Sequence, residues 1–243
     1  MRFILFIICN INKEELNAVP FQGPMILIGN HINFLDVATA LIFSYPRKIF
    51  FLVKKETFDT PFLRFIFNTW GSIPVDRGTA DFQALNKAAH VLNKGYFFVI
   101  APEGTRTNDG QLIRAHPGVV VIALKSKATI MPIVQYGGEK FSKNIKKLRR
   151  TKITMQVGAP FIICPSSNYP DKQERQLIAD EIMYQMAGLL PEEYRGYYSD
   201  LSKTTTNYLN FDVPVIKSIY QPWWQKVSNA VMKYFPTAKN PAA

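Results

Sequence analysis

The sequence predicts an α/β protein with a parallel sheet, because three short apolar runs each give way to a turn, a helix or a polar loop. Met25-Ile26-Leu27-Ile28 reads as a buried strand ending at Gly29, and residues 37–42 read as the body of a helix. A helix that opens at Thr60-Pro61 closes at Gly71, and the chain then runs through Ile73-Pro74-Val75 to Arg77. The strand-like Tyr96-Phe97-Phe98-Val99-Ile100 empties into Pro102-Glu103-Gly104-Thr105-Arg106. Loops that follow strands in this way gather at the carboxyl ends of a parallel sheet, where such folds hold ligands.

The remaining elements follow in order. Residues 1–9 are apolar but short, and they run into Asn10-Ile11-Asn12-Lys13 without a small-residue cleavage site, so they do not read as a signal peptide. A buried strand or a shallow membrane contact fits them. In the helix from 60, Thr60 is the candidate cap, Pro61 takes the first position, and Phe62, Phe65, Ile66 and Trp70 form an apolar stripe. Thr79 is placed to cap a helix through Phe82, Leu85, Ala89 and Leu92, closed by Gly95. The basic cluster Lys140, Lys143, Lys146, Lys147, Arg149, Arg150 and Lys152 reads as a loop leading into a strand at 153–157. Most such runs are solvated faces, but lipid or donor contact is open to this one. A helix fits residues 172–190, with Ile178, Ile182 and Met186 on one stripe. Residues 191–221 are rich in Tyr, Ser and Thr and carry no motif, so their role stays open.

At the C-terminus, projecting residues 223–235 at about 100° each gathers Trp223, Trp224, Val227, Ala230, Val231, Tyr234 and Phe235 within an arc of about 140°. Lys226 and Lys233 fall opposite. An aromatic face beside lysines is the composition of a helix lying in a lipid interface, and a helix docked on the protein's own core shares the same pattern.

Composition bounds the function. With 47% hydrophobic and 19% charged residues the chain is globular, and its 243 residues suffice for one substantial α/β core. No stretch approaches the roughly 18 apolar residues of a spanning helix. Two cysteines give no disulfide framework, and three scattered histidines give no metal-ligand cluster. The net charge of +11 suits an anionic membrane, an acidic carrier protein or coenzyme A. Nucleic acid fits poorly, because no recognition motif accompanies the charge.

The most informative segment is Asn30-His31-Ile32-Asn33-Phe34-Leu35-Asp36. Five residues along one helix would turn His31 and Asp36 roughly 140° apart, so a single helix is the wrong picture. His31 belongs instead in the strand-to-helix turn, with Asn33 a cap candidate and Asp36 in the first helical turn reaching back to the imidazole. An aspartate on one ring nitrogen fixes the tautomer and leaves the other nitrogen free to take a proton, which describes a general base. Taken alone, the pair also fits a histidine packed in a turn beside a helix-start aspartate. Arg77 and Arg106 each close a short motif, and guanidinium suits bidentate phosphate binding. Gly104 and Thr105 can add a backbone amide and a hydroxyl, so the expected ligand is anionic.

Taken together, NHINFLD, GSIPVDR, PEGTR and the apolar Ile130-Met131-Pro132-Ile133-Val134 resemble the four blocks of the glycerolipid acyltransferase superfamily, typified by 1-acyl-glycerol-3-phosphate acyltransferases. The resemblance covers residues 20–190 and includes Lys54-Lys55-Glu56. It implies a single-domain α/β fold with a central, mostly parallel mixed sheet flanked by helices, in a domain of residues 1–190 followed by an extension of residues 191–243. It also implies acyl transfer from a thioester, acyl-CoA or acyl-acyl-carrier-protein, to a lysophospholipid hydroxyl, with no cofactor and no metal. The acceptor it favours is 1-acyl-glycerol-3-phosphate, giving phosphatidic acid; glycerol-3-phosphate, another lysophospholipid and a glycolipid are the alternatives. By position, His31 would be the base and Asp36 its orienting partner, while Arg77, Glu103, Gly104, Thr105 and Arg106 would bind the acceptor. The expected location is the cytoplasmic face of a membrane, peripheral or monotopic.

Two positions depart from the family. Asn33 stands where serine is common, and an amide can cap the same helix. His116 stands where many relatives have lysine, which bears on phosphate affinity and head-group choice because histidine is largely neutral at pH 7. A lipid hydrolase is the reading from another class, but no Gly-x-Ser-x-Gly elbow is present. A non-catalytic lipid-binding relative would keep the fold and the basic surface, and the intact His31 and Asp36 argue against it.

Overall fold

A computed structural model describes residues 5, 7–12, 14–20, 22–45, 47–76 and 81–213. Its centre is a seven-stranded sheet made of β1 (Cys9–Asn12), β2 (Met25–Ile28), β3 (Ile49–Lys54), β4 (Ser72–Val75), β5 (Phe97–Ile100), β6 (Thr129–Tyr136) and β7 (Thr151–Val157). The strand order is β1-β7-β6-β2-β5-β3-β4. Strands β2 to β6 are mutually parallel, while β7 runs antiparallel to β6 and β1 pairs parallel with β7. The expected mostly parallel mixed sheet is therefore present, with its antiparallel pair toward one edge.

Alternation along β2 shows how the sheet is covered. Ile26 and Ile28 are fully buried on the face that carries α3 (Phe82–Asn93), α4 (Gly118–Ser126) and α6 (Lys172–Leu189). Met25 and Leu27 point to the opposite face with Ile49, Phe97 and Met131, against Ala40 and Leu41 of α1 (Leu35–Ser44). A central parallel strand buried on both sides reads as a continuous apolar run, and MILI is one. Burial of each such side chain contributes about 1.5–3 kcal/mol. Of the first apolar segment only Cys9 enters a strand, edge strand β1, where it and Ile11 pack among Leu35, Ile153 and Met155; Leu5, Ile7 and Ile8 before it are helical rather than extended.

Local capping departs from expectation in α2 (Pro61–Thr69) and α3, as it does in α1 at the site described below. Helix α2 has Thr60 at its N-cap, but no side-chain bond forms there. Its stripe also fails to reach the core: no residue of α2 is buried, and Phe62 and Phe65 are exposed. The helix lies at the β3–β4 edge, where its apolar side meets no further layer of the core, and Phe67 packs edge-on to Trp70. For α3 the cap is Asp81, which accepts from the Ala84 amide; Thr79 lies outside the described residues. Helix α6 matches the expected span to within one residue, is capped by Asp171, and buries Ile178, Ile182 and Met186 completely.

The stretch beyond α6 belongs to the same core. Tyr194, Tyr198 and Leu209 join the main hydrophobic cluster, and β8 (Ile162–Ile163) pairs with β9 (Leu209–Asn210). Glu181, buried on α6, accepts from the Thr205 hydroxyl and from the amides of Asn207 and Tyr208. Residues 223–235, expected as an interfacial helix, lie outside the described residues. Among the described residues no helix is long and apolar enough to cross a membrane, and no group of His, Cys, Asp and Glu is arranged to hold a metal ion.

Candidate active site

His31 sits in the turn between β2 and α1, at the carboxyl end of the parallel strands. Its Nδ1 lies 2.8 Å from Asp36 Oδ2. The same carboxylate oxygen accepts the amides of Ile32 and Asn33, at 2.6 and 2.9 Å, so Asp36 ties the whole turn to the first turn of α1. Asn33 does not take the N-cap position, which falls to Phe34. Its side-chain oxygen instead accepts from Leu35, and its amide donates to the Gly138 carbonyl after β6. Asn30 is locked by a reciprocal pair: Nδ2 donates to Gln135 O at 2.8 Å, and the Gln135 amide donates to Oδ1 at 2.9 Å. With Nδ1 held by a carboxylate, the imidazole has Nε2 left to exchange a proton.

The second motif loop zips onto this turn. The Thr107 amide donates to His31 O at 2.9 Å, the Asn108 amide donates to Ile32 O at 3.0 Å, and the His31 amide donates to Glu103 Oε1 at 3.1 Å. Glu103 is only 1% exposed, so its reach is to the backbone of the turn. Burial pushes its carboxyl up to about 8; the His31 N–H opposes this, and the negative charges of Asp36 and Asp109 add to it. Its other oxygen is buried and has no partner among the described residues, which suits a protonated acid better than a carboxylate.

Gly104 adopts φ +69°, and a Cβ there would stand 2.9 Å from His116 Cδ2. Glycine thus lets the His116 ring lie against the loop. His116 is anchored by its own amide, which donates to Pro102 O at 2.8 Å. Thr105 and Arg106 are exposed on the same loop. Arg77 lies outside the described residues; Asp76, just before it, lines the cavity described next.

A cavity of about 1240 Å³ opens beside these groups. His31, Asp36, Gly104 and His116 give it a polar part, while Val37, Ala40, Leu41, Ile49, Phe51 and Val99 give it an apolar wall. Lys125 and Lys127 also line it. His31, Asp36, Gly104 and His116 therefore come together as the motifs suggested, with Glu103 beneath them. His90 is exposed on α3, away from the cavity wall.

Sequence reasoning missed the clamp on the His116 loop. The Leu112 amide donates to Tyr194 O and the Tyr197 amide to Leu112 O, at 3.0 and 2.8 Å. The Tyr198 hydroxyl accepts from the Ala115 amide and donates to Asp180. The one signal was the tyrosine-rich composition of a stretch with no motif.

Comparison with known proteins matches the Acyltransferase family model over residues 10–136. The chloroplastic 1-acyl-sn-glycerol-3-phosphate acyltransferase of Arabidopsis thaliana is 30% identical over 130 residues, 52% of this chain and 36% of that protein. The 1-acyl-sn-glycerol-3-phosphate acyltransferase of Bacillus subtilis is 26% identical over 162 residues, 67% of this chain and 77% of that protein. The matched stretch thus spans about a third of the plant relative and three quarters of the bacterial one. In fold, the chain resembles the crystal structure of the 1-acyl-sn-glycerophosphate acyltransferase PlsC from Thermotoga maritima, with TM-score 0.55 and 20% identity over 77% of this chain and 74% of that one. With the family matched across the strands, turns and loops that build the His31 site, the chain belongs to the acyltransferase family.

Proposed function

We propose that the protein transfers a fatty acyl group from a thioester, acyl-CoA or acyl-acyl-carrier-protein, to the free hydroxyl of 1-acyl-glycerol-3-phosphate, giving phosphatidic acid. The observation that carries this reading is the His31–Asp36 pair standing at an apolar cavity large enough for an acyl chain. The names of the relatives supply the acceptor.

The chemistry follows from the geometry. An alkyl hydroxyl is a weak nucleophile, whereas a thioester is already activated, so proton removal and placement are what the protein must contribute. His31 Nε2 takes the hydroxyl proton as the oxygen attacks the thioester carbonyl, and Asp36 stabilises the imidazolium that forms. The C–S bond breaks as the tetrahedral adduct collapses, and the thiolate leaves with the proton returned from His31. No enzyme nucleophile is required. Cys9 is buried in β1, and Cys164 is outside the cavity wall. Glu103 holds the His31 amide, and His116, Arg106 and Arg77 serve the acceptor's phosphate, with Gly104 and Thr105 shaping the loop that carries it.

The test is a transfer assay with the purified full chain, acyl-CoA and acyl-acyl-carrier-protein as donors in turn, and acceptors with and without a phosphate, read by mass spectrometry. Phosphatidic acid should form fastest from 1-acyl-glycerol-3-phosphate. Equal or faster acylation of a phosphate-free acceptor would overturn the acceptor assignment, and no transfer to any acceptor from either donor would overturn the reading itself.

A further inference from the structure

Among the described residues, the exposed phenylalanines cluster at one end of the molecule. Phe34, Phe62, Phe65 and Phe82 are 56%, 68%, 71% and 62% exposed, and of the exposed phenylalanines Phe211 alone lies elsewhere. Phe34 precedes α1, Phe62 and Phe65 fall in the opening turns of α2, and Phe82 opens α3. These helices follow β2, β3 and β4, which are parallel, so the four rings share the end of the sheet that carries His31. Phe82 also lines the cavity.

The basic connection between β6 and β7 lies at that same end. It leaves the carboxyl end of β6, which is parallel to β2, and returns into antiparallel β7. Contacts fix it there: Asn33 donates to Gly138 O, and the Phe34 ring meets Phe141 of α5 (Phe141–Ile145) edge-on at 5.6 Å. Its tip carries Leu148, 94% exposed, between the exposed cations Lys146, Lys147 and Arg149. A large apolar side chain held in water among cations makes little sense for a solvated loop.

We propose that this face docks on a bilayer containing anionic phospholipid, with the phenylalanines and Leu148 entering the interface and the lysines meeting the head groups. Apolar side chains spread over four separate segments at one end suit a broad apolar medium, and the neighbouring cations complement an anionic surface. An acidic carrier protein would be met by the cations alone. The inference deepens the proposed function and rests on it for one point only, that a lipid acceptor reaches the His31 cavity from the bilayer.

Vesicle flotation with the full chain tests it without turnover, using phosphatidylcholine vesicles with and without phosphatidylglycerol. Anionic vesicles should bind the protein more tightly. Lys146→Glu with Lys147→Glu should weaken that binding about tenfold or more. Phe62→Ser with Phe65→Ser, and Leu148→Ser, should weaken binding to both vesicle types by about the same order. All these side chains are exposed, so melting temperatures should stay level, and transfer to an acceptor dispersed in detergent should match the unaltered protein. Vesicle binding unchanged in every variant would overturn the docking face. So would variants that keep vesicle binding but lose acyl carrier protein, because the face would then belong to a protein partner. A chain that floats through this face but acylates nothing would instead refute the proposed function and leave the docking intact.

Discussion

Replacing Glu103 with glutamine isolates a large pH dependence of folding. The folded carboxyl keeps its proton up to about pH 8, against an ordinary value of 4.5, because burial disfavours the charge. Between these limits the unfolded chain releases a proton that the folded chain retains. The stability contribution is therefore complete below about pH 4.5 and is lost as pH rises toward 8. Each pH unit across that window costs about 1.4 kcal/mol, so the full loss is on the order of 4–5 kcal/mol. Solvent screening takes little from this figure, since the side chain is 1% exposed. Glutamine keeps an oxygen for the His31 amide and does not titrate. Urea unfolding of both proteins at pH 5 and pH 8 is the assay. The unaltered protein should lose about 3–4 kcal/mol relative to Glu103→Gln over that interval. Parallel stability profiles, within about 1 kcal/mol of each other, would refute the placement of a protonated carboxyl beneath the His31 turn.

Four further outcomes are expected. His31→Ala should lower transfer by about 10²-fold or more with an unchanged melting temperature, and Asp36→Asn should act in the same direction more mildly; near-normal turnover in folded His31→Ala would remove the base. Arg106→Ala should raise the KM for a phosphorylated acceptor more than that for the thioester, a split that steady-state kinetics against each substrate would read. His116→Lys places a permanent ammonium on the loop and should tighten a phosphorylated acceptor, and an unchanged KM would disconnect position 116 from head-group charge. Gly104→Ala forces a Cβ to 2.9 Å from His116 at φ +69°, so it should cost about 1–2 kcal/mol and lower the melting temperature by about 2–8 °C in a thermal scan.

What could be read from the sequence was what local geometry dictates. MILI followed by a turn and a helix start placed His31 and Asp36 correctly, because a five-residue separation across a strand-to-helix turn leaves few other ways for them to meet. The alternation along β2 and the stripe on α6 were legible for the same reason, since a fixed period fixes a face. Caps were less so. Asp81 and Asp171 won their positions through amides three residues onward, whereas the Thr60 hydroxyl makes no such bond, and composition alone does not tell these cases apart. The α2 stripe misled because periodicity reports that one side of a helix is apolar but not what lies opposite; at the β3–β4 edge Phe62 and Phe65 meet solvent.

The larger gap concerns groups whose partners are far along the chain. Glu103 looked like an acceptor ligand by its place in PEGTR, yet its carboxyl is engaged by the His31 amide, 72 residues away in sequence. Tyr198, 83 residues from the Ala115 amide it receives, holds the loop that ends at His116 and donates its own proton to Asp180. These contacts make the site a set of loops sewn together by backbone amides: Thr107 and Asn108 onto the His31 turn, Asn30 onto Gln135, and Leu112 between Tyr194 and Tyr197. Such a design explains why the chemistry-bearing residues cluster in short motifs while their supports do not. A side chain that performs chemistry must be one particular type, and so leaves a readable mark. A main-chain bond accepts almost any residue and leaves none, so the clamp that steadies His116 could run through residues 194–198 without a pattern to announce it.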